Sequence, residues 1–111
     1  MSGITTHVLD TSRGRPAEGV PVRLERRLEN GWRALASSRT DRDGRARDLT
    51  TGDPEAGTYR LTFETAAYFA SCGVEGFYPV VEVVFEVRDP SQHHHVPLLL
   101  SPFGYSTYRG S

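Results

Sequence analysis

The chain has 111 residues, of which 37% are apolar, with 13 basic and 14 acidic side chains and a formal charge of −1. That length suits one domain, residues 1–111, and the modest apolar share argues for a thin core or for apolar surface completed by oligomerisation. The near-neutral charge offers no field to draw nucleic acid or a membrane, and every basic residue is Arg, which excludes a catalytic lysine or Schiff base.

In chain order, the N-terminus lacks the charged and apolar regions of a signal peptide, and no apolar run is long enough to span a bilayer. A cytoplasmic protein is expected. Ile4 to Asp10 reads as a first strand carrying His7. Arg13-Gly14-Arg15-Pro16 reads as a turn. Val20, Val22 and Leu24 then alternate with Pro21, Arg23 and Glu25, the pattern of a half-buried strand. Asn30-Gly31, between Leu28 and Trp32, signals a hairpin. Asp41-Arg42-Asp43-Gly44 is a turn that opens a short strand at Arg45.

Tyr59, Leu61 and Phe63 alternate in the same way. Thr65 to Gly73 breaks the period: its helix formers, a capping Thr65 and the closing glycine predict a two-turn helix. The lone cysteine, Cys72, falls at its end and reads as a buried small apolar side chain; disulfides play no part. Val81, Val83, Phe85 and Val87 give the next strand. His93-His94-His95 runs into Val96-Pro97-Leu98-Leu99-Leu100, and Tyr105, Thr107 and Tyr108 favour a last strand that ties down the tail. Short strands at this spacing predict an all-β sandwich.

Parity in a strand puts His93 and His95 on one face and His94 with Val96, Leu98 and Leu100 on the other. Three readings fit the triplet: a metal site, with His7 as a further ligand; general acid–base chemistry; or a solvated edge strand without a role. Arg45 is either a solvated charge or a fork of donors for a planar anion or an oxyanion.

Taken together, Thr6-His7-Val8-Leu9-Asp10, Thr40-Asp41-Arg42-Asp43-Gly44-Arg45, Phe77-Tyr78-Pro79, His93 to Pro102 and Tyr105-Ser106-Thr107-Tyr108-Arg109-Gly110-Ser111 resemble the 5-hydroxyisourate hydrolases, the enzymatic relatives of transthyretin. The terminal Tyr-Arg-Gly-Ser is the mark that separates those hydrolases from hormone carriers. The resemblance implies a transthyretin-like, eight-stranded antiparallel sandwich with one short helix after the fifth strand. It also implies a homotetramer with active sites at the dimer–dimer interface. The family's catalytic residues fall on His7, Arg45 and His95. Its substrate-binding set falls on His7, Arg45, Tyr108, Arg109, Gly110 and Ser111, with no cofactor and no metal.

One departure is visible: His94 stands where the family commonly has Tyr. The implied reaction is attack of water on a lactam carbonyl of 5-hydroxyisourate, opening the six-membered ring to 2-oxo-4-hydroxy-4-carboxy-5-ureidoimidazoline in urate catabolism. Two other functions fit the same residues less fully: a transthyretin-like carrier of a small ligand in the tetramer channel, and a structural sandwich with a metal-stabilised edge.

Overall fold

The computed structural model describes residues 3–111. Where apolar residues alternate, the chain is extended: β1 (Gly3–Asp10), β2 (Arg15–Pro16), β3 (Pro21–Leu28), β4 (Gly31–Arg39), β5 (Arg45–Ala46), β6 (Gly57–Phe63), β7 (Val81–Val87), β8 (His93–Ser101) and β9 (Gly104–Thr107). Among the described residues a single helix, α1 (Thr65–Ser71), joins β6 to β7. The strands form two sheets. One runs β2-β1-β8-β9 with β5 added to β1, and the other runs β4-β3-β6-β7. Between them lie the inward residues of β1, β3, β6, β7 and β8, among them Ile4, Val8, Val22, Leu24, Tyr59, Leu61, Phe63, Val81, Leu98 and Leu100, all at most 2% exposed. This is the sandwich that period-two patterning demands.

The pairing is antiparallel throughout except at β1 and β8, which run parallel in register from Gly3 opposite His93 to Asp10 opposite Leu100. The first long strand of the chain is thus bonded along its length to the last long one.

Four local features differ from the sequence reading. Arg15-Pro16 is a two-residue strand against Leu9 and Asp10, where turn chemistry was expected. It makes the helix follow the sixth strand by count; without it the helix follows the fifth. In the β3–β4 hairpin the loop residues are Glu29 and Asn30, and Gly31 at φ 133° already opens the returning strand. Thr65 is the first helical residue rather than the cap: it is fully buried, and its hydroxyl donates to the Tyr78 carbonyl at 2.8 Å. Burial and a tertiary acceptor outcompete a local capping bond there. Cys72 is only half-buried, because it packs at the core's edge with Arg13 Nη1 donating to its sulfur at 3.2 Å. Among the described residues no helix is long and apolar enough to cross a membrane.

Candidate active site

Strand parity decides which side chains of β1 and β8 leave the core. Ile4, Thr6, Val8 and Asp10 turn inward, and so do His94, Val96, Leu98 and Leu100. Thr5 and His7 on β1, and His93 and His95 on β8, therefore share the outer face. His94 is 5% exposed, on the core side as its parity requires. The turn at Asp41–Gly44 then adds Arg45. Asp41 Oδ1 accepts from the backbone N–H groups of Asp43 at 2.8 Å and Arg45 at 3.0 Å, and Gly44 takes φ 78°. A Cβ at Gly44 would collide with the Val8 carbonyl, so only glycine lets the turn press onto β1. The result is β5 laid beside β1 with Arg45 directly opposite His7.

These groups border an open cleft of about 660 Å³, lined by Thr5, Arg45, Arg47, Thr50, His93, His95 and Ser111 among others. Its size is within the range of small-molecule sites. His7 is not among the lining residues; it shares the outer face of β1 with Thr5, two residues beyond the partner of His95 on the neighbouring strand. The electrostatics are one-sided. Burial holds the His95 imidazole below its ordinary value of 6.5, and Arg45, His93 and His7 press it the same way. Burial and then Arg45 likewise hold His7 down, against a smaller upward pull from the Asp43 backbone. Both rings are accordingly kept neutral around pH 7, the form in which imidazole can take a proton. Thr5 Oγ1 lies 2.8 Å from His95 Nδ1, so Nε2 is the nitrogen His95 has to offer a reacting group.

The tail divides. Gly110 pairs with His95 as an antiparallel bridge, its N–H donating to the His95 carbonyl at 2.8 Å. A Cβ on Gly110 would come within 2.6 Å of His95 Cδ2, so the glycine is what lets the tail lie against the ring. Ser111 then reaches the cleft. Tyr108 and Arg109 border a second hollow, beside Val83, Phe85 and His94. Tyr108 is 57% exposed there, and Arg109 Nη2 donates to Gln92 Oε1 and the His93 carbonyl. Within one chain the fold thus gathers His7, Arg45, His95, Gly110 and Ser111, and sets Tyr108 and Arg109 on the β7 side. Sequence reasoning missed Thr5, Arg47 and Thr50, whose proximity depends on strand pairing, and left His93 open between a metal ligand, an acid–base group and a solvated residue. Among the described residues, no three or more His, Cys, Asp or Glu side chains converge to hold a metal ion.

The family model described as HIUase/Transthyretin family matches residues 4–110. A 5-hydroxyisourate hydrolase of Caulobacter vibrioides is 50% identical over 115 residues, covering 100% of both chains. The solved 5-hydroxyisourate hydrolase of Klebsiella pneumoniae superposes with a TM-score of 0.89 at 41% identity, again over 100% of each chain. A transthyretin from Sparus aurata superposes with a TM-score of 0.93 at 34% identity, over 99% of this chain and 97% of that one.

Proposed function

Because this chain belongs to the HIUase/transthyretin family, with hydrolases among its full-length relatives, we propose that it hydrolyses 5-hydroxyisourate in urate catabolism, using the cleft on the outer face of β1, β5 and β8. The observation that carries the site is the placement of two imidazoles, both held neutral, beside the guanidinium of Arg45. In this reading His95, through Nε2, and His7 take the proton from water as it attacks the lactam carbonyl. Arg45 binds the anionic or carbonyl edge of the flat ring and meets the charge that grows on the oxygen. The same proton then returns to the leaving nitrogen, and no covalent intermediate is needed. Ser111 and Gly110 form the wall against which the ring is set. A carrier built on the same fold has no use for this polar set.

Tyr108 and Arg109 enter through assembly. β7 and β9 are edges of their respective sheets, and Val84, Tyr105 and Tyr108 stand 57%, 43% and 57% exposed along them. Both edges suit extension into a second copy, and pairing of such dimers into a homotetramer would place the clefts at the dimer–dimer interface, where Tyr108 and Arg109 could serve a site. The cytoplasm remains the expected compartment.

The test is spectroscopic. When urate oxidase generates 5-hydroxyisourate, adding this protein should hasten its decay, with activity falling at acid pH because a protonated imidazole cannot take the proton of the attacking water. His95→Asn should cut turnover by about a hundredfold or more, and Arg45→Lys should also damage it, since an ammonium lacks the planar fork. Near-normal turnover by a folded His95→Asn protein would refute the assignment.

A further inference from the structure

The parallel register of β1 and β8 puts one hydroxyl between two imidazoles. Thr5 Oγ1 lies 2.7 Å from His93 Nε2 and 2.8 Å from His95 Nδ1. The rings are 6.0 Å apart, centroid to centroid, and tilted by 32°. A threonine hydroxyl has a single proton. It can donate to one of these nitrogens, and it must then accept from the other. One facing nitrogen is therefore bare and the other protonated, and the two rings are not independent.

We propose that Thr5 couples the two histidines as a tautomer relay, in which the protonation state of His93 decides whether His95 can present a lone pair at Nε2. With His93 neutral and its Nε2 bare, Thr5 donates to His93 and accepts from His95 Nδ1–H. The lone pair of neutral His95 is then on Nε2, the form that can take a proton from water. When His93 gains a proton from solvent, both its nitrogens carry hydrogen and Nε2 must donate to Thr5. The hydroxyl proton turns to His95 Nδ1, which becomes an acceptor. His95 keeps a single proton, released to solvent from Nδ1 as another binds Nε2, and it now presents a donor. A charged His93 thus excludes the base form without any change in the charge of His95. Thr5 and His93 are positioning residues: they act through His95.

The charged and titratable groups facing this pair come from three directions. Arg45 and Arg47 approach from β5 and the chain beyond it. His7 projects from β1, and Arg109 from the tail, bonded to the His93 carbonyl at 3.3 Å. His94 neighbours both rings in sequence but points to the core. None of these supplies the hydroxyl's place between the rings.

The inference rests on the hydrolase reading, which gives His95 Nε2 its task, but its central claim can be measured without substrate. In the 15N-histidine-labelled protein, long-range 1H–15N correlations report each ring's tautomer. As pH is lowered, neutral His95 should pass from Nδ1–H to Nε2–H together with the appearance of doubly protonated His93 in the same spectra. In Thr5→Val and in His93→Phe the His95 tautomer should no longer follow pH in this way, and Thr5→Ser should restore the wild-type pattern. In Thr5→Val, kcat should fall by about tenfold or more with KM little changed; a wrong tautomer in a catalytic triad costs up to ~10⁴. A His95 tautomer indifferent to His93 in the wild type would overturn the relay while leaving hydrolysis in place. Failure of the wild type to hasten decay of 5-hydroxyisourate would instead strike the hydrolase reading, with the correlations still deciding the coupling.

Discussion

Asp10, on the core side of β1 and 1% exposed, could not remain a carboxylate there unless its lone pairs were taken. They are: Oδ1 accepts from the Ser12 hydroxyl at 2.6 Å and from the Ser12 and Arg13 backbone, and Oδ2 accepts from the Tyr68 hydroxyl at 2.7 Å. Burial alone would raise its pKa, but the bonds from Ser12 and Tyr68 outweigh burial and hold it below the ordinary 3.8. The same burial and the same bond push the Tyr68 phenol well above its usual range. A depressed carboxylate stabilises the fold above its unfolded pKa, and that contribution goes as pH falls through the folded value. Tyr68→Phe leaves Asp10 a donor short and should cost about 1–3 kcal/mol. Urea unfolding at pH 7 measures that loss, and the gap between the two proteins should narrow at a pH where Asp10 is protonated in both.

The element on which the site most depends is the tail's contact with β8. Gly110 presses on the ring of His95 and bonds to its carbonyl. Gly110→Ala should therefore displace either the tail or the imidazole and lower turnover about tenfold or more, with little change in thermal midpoint because the core is untouched. The decay assay and a melting curve together check this. Such a contact shows where sequence stops being informative. The strands with inward Val22 and Leu24, Leu61 and Phe63, or Val81 and Val83 were legible, because each pattern is written within one segment. So were the opposed faces of His94 and His95, which follow from parity alone. Arg15-Pro16 was not, since a strand of two residues exists only by virtue of its partner. Neither was the capping role wrongly given to Thr65, whose acceptor, the Tyr78 carbonyl, is 13 residues away. Thr5 between two histidines was beyond reach for the same reason: its partners lie 88 and 90 residues on. That the tail is held could be read from its strand formers; which of its residues face the cleft could not.

For the whole molecule, 12.3 kDa of chain forms a thin sandwich, 38 × 30 × 20 Å, that leaves large apolar side chains in water. Phe77, Tyr78 and Tyr105 stack edge to face at 5.0 and 5.1 Å, and Phe77 and Phe103 are 68% and 71% exposed. Under the homotetramer proposed above, such side chains would be covered by other copies. Sedimentation should accordingly find a species several times the mass of one chain. Val84→Glu, which sets a charge on the outward face of the β7 edge, should weaken that association by about tenfold or more while leaving the fold intact. A monomeric wild type at micromolar concentration would contradict the assembly.

The parallel ladder between β1 and β8 also carries a consequence for the life of the chain before it is finished. Until residues near 93–101 have left the ribosome, β1 has no partner on its β8 edge, and Thr5, His7 and Arg45 lack the histidines of β8. The β3–β4 hairpin and β6 can pair while synthesis is under way, and β2 and β5 can pair with β1; the sheet that holds the cleft cannot be completed. A chain stopped before β8 therefore lacks His95 and the sheet that would hold it, and activity cannot precede the closing of the sandwich.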